Sequence, residues 1–324
     1  MSTSDHVRAR GIALALAACL TAPRAAGAAG RLYQVREVKP RVFVWIPDDV
    51  LESEGDPQYP RAGTAGFIIT PQGVVVVDTT NSPLHARELL YEIRQRTDQP
   101  IRYVIDTGAS GDEVLGNEVF SDLQATLVST SAIQAEIRDR AQALAERAVV
   151  DHKFERRLRG IHITAPSQTF DHELPLPLAG KEIRLIALDS GLRAASVYLP
   201  AAKVAFLGDL FQNQYFPRLE SRDLSRWIEA LRQAEAWEAE VYVPGHGEPA
   251  GKKEVEQFRA FLEWLTKEVR TRVAEGKSLA QVKAELLPFK DYPWHAPEQA
   301  VELVEGAYQQ FDRVSRKNKP TSSN

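Results

Sequence analysis

The stretch YVIDTGASGDEVLGN, residues 103–117, decides the fold that we predict for this chain. It begins with β-branched and aromatic residues, which are typical of a buried strand, and continues into a polar, glycine-containing loop. Loops that follow buried strands often carry functional side chains, because the strand end fixes their position. This loop holds Ser110, Asp112 and Glu113. We therefore take it as the first part of a candidate site.

Strand and helix signals alternate on both sides of this stretch. Upstream, two β-branched runs at 66–70 and 73–78 are joined by Pro71-Gln72-Gly73, a hairpin signal, and Ser82-Pro83 opens a helix. Downstream, we predict strands at residues 182–188, 196–199, 203–207 and 241–243. The predicted helices there lie at residues 131–158, 223–237, 252–274, 278–287 and 297–314. This order indicates one compact α/β domain with a C-terminal helical extension.

The composition excludes several classes of protein. The chain has 324 residues, of which 44% are hydrophobic, 26% charged and 8% aromatic, close to the averages of globular proteins. Its 40 basic and 44 acidic residues give a net charge of −4 at pH 7. That balance offers no basic surface for nucleic acid, so we expect no nucleic-acid partner. A single cysteine excludes a disulfide framework and a thiolate zinc site.

The first 28 residues have the features of a signal segment. Arg8 and Arg10 form a basic start, and the apolar run at 11–22 is too short for a permanent membrane span. Two processing routes stay open. Ala26-Gly27-Ala28 fits ordinary signal cleavage, whereas the residues before Cys19 resemble a bacterial lipobox, which would make Cys19 the lipidated first residue. Either route predicts an exported protein, periplasmic or anchored to a membrane as a lipoprotein.

The loop at 107–117 and three later segments together resemble the metallo-β-lactamase superfamily. In that family the same strand enters an H-x-H-x-D-H loop followed by Gly-Asn, and the resemblance continues through 67–78, 204–213 and Pro244-Gly245-His246-Gly247. It implies an α/β fold, the four-layer αββα metallo-β-lactamase sandwich, with a metal site at the edge between its two sheets. The chain then divides into a signal segment (1–28), a metallo-β-lactamase-like domain (31–255), a C-terminal helical extension (256–316) and a disordered tail (317–324).

The first metal site of that family has no counterpart in this chain. The resemblance places three family histidines at Gly108, Ser110 and Leu192. Neither glycine nor leucine offers a side-chain lone pair to a metal ion. The usual mechanism, in which two zinc ions share a hydroxide, therefore lacks half of its apparatus. We do not expect a dinuclear zinc centre.

The second metal site of the family is kept in part. Asp112, Asp209 and His246 match family ligands, and Glu113 stands where the family has a histidine. Each match also has a simpler interpretation: Asp112 could cap a helix starting near Val114, Asp209 could serve a turn, and His246 could make only hydrogen bonds. The resemblance makes Asp112 the catalytic candidate if the site is active.

Two functions remain open. The first is a pseudoenzyme of the cell envelope that binds a small molecule or an envelope protein without hydrolysing it. The second is a mononuclear metal-dependent hydrolase of an ester, thioester or amide, using the four residues of the second site. Three carboxylates and one imidazole suit manganese, magnesium or iron better than zinc. We expect either no metal or one divalent ion.

Buried carboxylates that lie together need a cation, because their charges repel each other. Arg193, beside Leu192, follows the strand that ends near Leu188, and we expect its side chain to line the same cleft as the retained acids. A guanidinium keeps its charge and can engage two carboxylates together. The sequence therefore leaves two positions open for Arg193: within about 4 Å of Asp112, Glu113 or Asp209, or pointing into solvent, as most arginines do.

Overall fold

The computed structural model describes residues 33–48, 61–150, 162–178, 181–220 and 222–317. The signal segment, Cys19 and the tail at 318–324 lie outside these residues. Among the described residues, no helix is both long and apolar enough to cross a membrane.

The N-terminal half forms a seven-stranded sheet whose strands lie side by side in chain order. The strands are β1 (Tyr33–Lys39), β2 (Val42–Pro47), β3 (Ala65–Thr70), β4 (Gly73–Val77), β5 (Ile101–Ile105), β6 (Thr126–Thr130) and β7 (Gln168–Phe170). The first four pair antiparallel, and β4 to β7 are parallel. The switch comes where helices first connect the strands, since parallel neighbours need a crossover. The predicted hairpin at Pro71-Gln72-Gly73 is confirmed.

The C-terminal half adds a five-stranded sheet in the order β12-β11-β10-β9-β8. Its strands are β8 (Glu173–Leu178), β9 (Lys181–Ile186), β10 (Ser196–Leu199), β11 (Val204–Gln212) and β12 (Val241–His246). β11 and β12 are parallel, with register shifts at Gly208 and Gln212 that bend the end of β11. The three other pairs are antiparallel.

Helices flank both sheets. They are α1 (Pro83–Arg94), α2 (Gly111–Val114), α3 (Asn117–Ser121), α4 (Ser131–Val150), α5 (Leu224–Glu235), α6 (Lys252–Ala274), α7 (Leu279–Leu286) and α8 (Pro297–Lys317). Ser82 caps α1 by accepting from the His85 backbone N–H at 3.2 Å, with Pro83 in the first turn, as the sequence predicts.

Three hydrophobic cores hold these layers together. The central core lies between the sheets and joins side chains such as Val75 and Ile105 with Val197 and Phe206. A second core packs α1 and α3 on the first sheet. The third packs α5, α6, α7 and α8 on the second sheet. Two sheets face to face with helices outside both give the predicted four-layer αββα sandwich. The predicted boundary between domain and extension, at 255/256, falls inside α6.

Candidate metal centre

Three strand ends meet at one edge of the sandwich and carry the candidate site. Asp112 lies in α2, just after β5, Asp209 lies in the bent part of β11, and His246 ends β12. Backbone hydrogen bonds tie these loops together: the Gly63 N–H donates to the Asp112 carbonyl at 3.3 Å, and the Thr64 N–H donates to the Gly245 carbonyl at 2.7 Å. The two sheets therefore position the three side chains jointly.

Asp112, Asp209 and His246 form one compact group. One potential ligand atom from each lies within 4.8 Å of the others, the two aspartates are buried, and His246 is partly buried. The His246 Nε2 lies 2.8 Å from Asp112 Oδ2. Gln212 donates from Nε2 to Asp209 Oδ1 at 3.4 Å. The structure thus brings together three of the four residues that the sequence places in the second metal site.

The contact between Asp112 and His246 changes the pKa of both groups. Burial raises the pKa of Asp112, but the hydrogen bond and charge of His246 outweigh it and hold this pKa below its ordinary value. Burial lowers the pKa of His246, and the hydrogen bond and charge of Asp112 raise it above its ordinary value. Both shifts favour the charged pair, as expected for partners 2.8 Å apart.

Asp78 fixes the start of the loop after β5 through two hydrogen bonds with Thr107. The Thr107 N–H donates to Asp78 Oδ1 at 2.8 Å, and the Thr107 hydroxyl donates to Asp78 Oδ2 at 2.7 Å. Burial raises the pKa of Asp78 to about 7, even though both hydrogen bonds act against that shift. The first residues of the loop after β5 are thus tied to Asp78, which follows the adjacent strand β4.

Glu113 is not among the three residues whose ligand atoms lie within 4.8 Å of one another, although we predicted it as a fourth ligand. Its Oε2 accepts a hydrogen bond from the Ser110 N–H at 2.9 Å, and its Oε1 lies 3.4 Å from the Thr107 hydroxyl. Burial and the charges of the nearby aspartates, Asp209 foremost, raise the pKa of Glu113 well above its ordinary value. The side chain therefore points back into the loop and stabilises it.

The positions of the missing family histidines hold no replacement ligands. A Cβ at Gly108 would overlap the Glu113 carboxylate, with Glu113 Cδ only 2.6 Å away. Ser110 is the N-cap residue of α2 and lines the small cavity beside the site. Leu192 is 2% exposed and belongs to the core on the outer face of the second sheet.

Because α2 already starts at Gly111, the alternative role of Asp112 as a helix N-cap is wrong.

Of the two positions left open for Arg193, the one beside the retained acids is wrong. Its Nη1 lies 3.2 Å from Glu136 Oε2, and its side chain is 49% exposed. No ion pair within the described residues joins Arg193 to Asp112, Glu113 or Asp209. Leu192 enters the core, so the following residue, in the left-handed backbone conformation with φ of 50°, is directed towards α4 instead.

Other arginines lie at the site. A cavity of about 20 Å³, close to the size of one water molecule, is lined by Arg61, Ser110, Asp112, Asp209, Gln212, Arg218, His246 and Gln299. Arg222 lies behind it, with Nη2 3.7 Å from Asp209 Oδ2. Sequence reasoning missed all three arginines, since Arg61 lies far from Arg218 and Arg222 in the chain and none of them belongs to a motif.

The C-terminal extension also reaches the site. Tyr215 stacks on His295 with 4.7 Å between ring centroids, and its ring lies 5.8 Å from that of His246. Glu298 pairs with Arg61 at 3.3 Å, and Gln299 lines the small cavity. The sequence shows no ligand spacing at His295, and only the packing of the segment before α8 brings it here.

The donor set fits one divalent cation and not two. Asp112, Asp209 and His246 supply two carboxylates and one imidazole within reach of a single ion. A second ion would need donors at positions 108, 110 and 192, where only the Ser110 hydroxyl is present and the Glu113 carboxylate fills the space beside Gly108. Two carboxylate groups and an imidazole suit a hard or intermediate ion.

Solved metallo-β-lactamases share this fold over most of the described chain. The enzyme of Pontibacter korlensis superposes with a TM-score of 0.55 at 19% identity, covering 71% of this chain and 99% of that one. The DIM-1 enzyme gives a TM-score of 0.52 at 17% identity, covering 72% and 98%. The TMB-1 enzyme gives 0.53 at 16% identity, with the same coverage.

The chain is also similar to a relative with a curated function. A linear primary-alkylsulfatase of a Pseudomonas species is 24% identical over 230 residues, covering 59% of this chain and 43% of the relative. The chain therefore spans less than half the length of that relative. No family model matches the sequence. Together with the two-sheet architecture, these similarities show that the chain has the metallo-β-lactamase fold.

Proposed function

We propose that this protein is a non-hydrolytic binding protein built on a metallohydrolase-like scaffold, with room for at most one divalent cation. The observation that carries the proposal is the position of Glu113. Its carboxylate occupies the space beside Gly108 and is held there by the Ser110 N–H. The position where such a site needs an imidazole is therefore filled by an internal carboxyl group.

The arrangement of the retained residues supports the same proposal. Asp112 is paired with His246, and Asp209 lies next to Arg222, so both carboxylates have cationic partners from the chain itself. The adjoining cavity of about 20 Å³ holds roughly one water molecule. A dinuclear hydrolase would instead need two open, ligand-rich positions.

A mononuclear hydrolase is the second candidate. It is favoured by the group of three ligand atoms within 4.8 Å, which could hold one ion beside a cavity of water size. A bound divalent cation would polarise a substrate oxygen and lower the pKa of a bound water. The alkylsulfatase relative adds sulfate esters to the ester, thioester and amide substrates that such a site could take.

Metal content and hydrolysis, measured on the same protein, test the proposal. We expect at most one equivalent of manganese, iron or magnesium per chain, lost in Asp209→Ala. Gly108→His should bind no additional zinc, because positions 110 and 192 still lack imidazoles even if the new side chain displaces the Glu113 carboxylate. Glu173→Ala is the matched control. Glu173 lies on β8, the edge of the second sheet opposite β12, where it pairs with Arg184, and its removal should not alter the metal content.

Hydrolysis assays decide between the two candidates. A panel with a β-lactam, a thioester, an amide and an alkyl sulfate should give rates no higher than those of Asp209→Ala. A rate that requires both Asp209 and one equivalent of metal would establish the mononuclear hydrolase instead. Two equivalents of zinc in the unmodified protein would contradict both candidates.

We also propose that the protein acts in the bacterial cell envelope, where its ligand would be a small molecule or an envelope protein. The basic and apolar start of the chain, together with Ala26-Gly27-Ala28 and the residues before Cys19, supports export.

Processing of the expressed chain tests the location. Residues 1–28 should be missing from the mature protein, or residues 1–18 if Cys19 is lipidated. Globomycin should cause a larger precursor to accumulate only in the second case. A Cys19→Ser variant that stays bound to the membrane would exclude the lipid anchor, and a mature protein that begins at Met1 would exclude export.

A further inference from the structure

Arg222 is the buried cation closest to the metal ligands among the described residues. Its Nη2 lies 3.7 Å from Asp209 Oδ2, and the side chains are 7% and 9% exposed, respectively. Ion pairs on protein surfaces are weakened by water and salt, but a pair this deeply buried is screened much less. Removing either partner would leave the other buried charge without this ion pair.

The surrounding structure holds the guanidinium beside Asp209. The Arg222 N–H donates to the Leu219 carbonyl at 2.9 Å, which forms a turn, and Arg222 Nη1 donates to the Arg218 carbonyl at 3.2 Å. The guanidinium carbon lies 5.2 Å from the ring centroid of Trp227, a cation–π distance, and Trp227 is itself fully buried. Packing and hydrogen bonds therefore hold the Arg222 guanidinium beside Asp209 and keep it out of solvent.

Asp112, the other carboxylate of the site, already has a separate partner. His246 Nε2 lies 2.8 Å from its Oδ2. The two carboxylates that would hold a cation are thus each paired with a different side chain. An incoming divalent ion has to replace the Asp112 contact to His246 and to lie close to the Arg222 charge.

We infer that Arg222 is a built-in counter-cation of Asp209, which competes with a divalent metal ion and sets the affinity of the site for it. This inference rests on the single-cation site of the proposed function. It assigns to Arg222 the role that the sequence suggested for Arg193. Arg222 acts through Asp209 and not on a substrate, so it is a positioning residue.

Metal affinity is the first test. Isothermal titration with Mn²⁺ should give a dissociation constant at least about tenfold lower for Arg222→Gln than for the unmodified protein, since a fixed positive charge is removed near a +2 ion. Arg222→Lys should stay close to the unmodified value, because it keeps the charge. Arg193→Gln, which removes an exposed arginine paired with Glu136, is the matched control and should change nothing.

Stability without metal is the second test. In chelator, Arg222→Gln should lower the melting temperature by several degrees, since Asp209 then stays buried without its cation. The same change made in an Asp209→Asn background should lower it much less. Arg222→Lys should recover part of the loss. This comparison needs no metal and no activity.

The two tests separate failure of the inference from failure of the proposed function. Equal Mn²⁺ affinities for the unmodified protein and Arg222→Gln would overturn the inference. So would a loss of melting temperature in chelator that is the same whether Arg222→Gln is made in the unmodified protein or in the Asp209→Asn background. If neither protein binds Mn²⁺, the single-cation site is wrong, and the melting temperatures alone decide the role of Arg222.

Discussion

At the scale of single residues, Gly108 and Glu113 depend on each other. The Glu113 carboxylate fills the space beside the Gly108 Cα and accepts a hydrogen bond from the Ser110 N–H. The contact is made by the far end of a flexible side chain, so a larger residue at position 108 would displace the carboxylate before it moved the backbone. The loop conformation thus depends on the absence of one side chain.

We predict that Gly108→Ala displaces this carboxylate and lowers the free energy of unfolding by about 1–2 kcal/mol, the value of a buried hydrogen bond to a carboxyl group. In a Glu113→Ala background the same substitution should cost much less. Urea unfolding of the four proteins measures the difference. Additive effects would show that the two residues do not share this space.

Asp106 provides a prediction on pH. Burial raises its pKa well above the ordinary value, against the hydrogen bond that the Asn117 side chain donates to Asp106 Oδ2 at 2.9 Å. The folded protein thus keeps this carboxyl protonated at a pH where the unfolded chain has lost the proton. Its contribution to stability is complete below the ordinary aspartate pKa and is lost as the pH rises towards the raised native pKa.

Asp106→Asn should therefore stabilise the protein at neutral and alkaline pH, by an amount on the order of 1 kcal/mol, and leave it little changed at pH 4. Denaturant unfolding at several pH values gives the measurement. The control is Asp122→Asn, an exposed aspartate in the described chain, which should leave the profile unaltered. A loss of stability in Asp106→Asn across the whole range would contradict the prediction.

At the scale of elements, α6 connects the sandwich to the C-terminal extension. Its buried residues recur three or four positions apart and give it one continuous apolar face, made of Val255, Phe258, Phe261, Leu262, Leu265 and Val269. Phe261 lies at the centre of an aromatic cluster, with ring centroids 4.7 Å from those of Tyr292 and Trp294. The segment that carries Trp294 also carries His295 to the site.

Phe261→Ala should lower the free energy of unfolding by about 3–5 kcal/mol, the range for a large aromatic removed from a core. Lys267→Ala, on the exposed side of the same helix, should change it by less than about 0.5 kcal/mol. Guanidinium unfolding measures both. An equal effect of the two substitutions would show that the aromatic cluster adds nothing to the attachment of the extension.

At the scale of the whole molecule, β11 and β12 contribute side chains to two hydrophobic cores, one on each face of the second sheet. The core outside the second sheet contains Phe211 of β11 and Tyr242 of β12 together with Leu303 and Val304 of α8. The other faces of the same strands contribute Phe206 and Val243 to the core between the sheets. The helical extension therefore shares its core with the sandwich.

We predict one cooperative unfolding transition for the sandwich and the extension together. Trp45 reports on the first sheet and Trp294 on the extension, so two variants that each keep only one of the five tryptophans, Trp45 or Trp294, separate the two regions by fluorescence. Both curves should coincide with far-UV circular dichroism after correction for any shift that the substitutions cause. Loss of the extension signal at a lower denaturant concentration would contradict the shared core.

The sequence alone did not predict β1, β2 or β6 to β8. It predicted β3 to β5, β9 to β12 and the six longer helices, together with the resemblance to metallo-β-lactamases and the loss of the first metal site. It also placed Asp112, Glu113, Asp209 and His246 in the second metal site. Those features depend on local patterns and on residue types at matched positions. The structure was needed to show that the Ser110 N–H binds the Glu113 carboxylate, that Arg193 pairs with Glu136, and that Arg222 lies beside Asp209. The direction of a side chain depends on packing between segments far apart in the chain, and no local pattern records that packing.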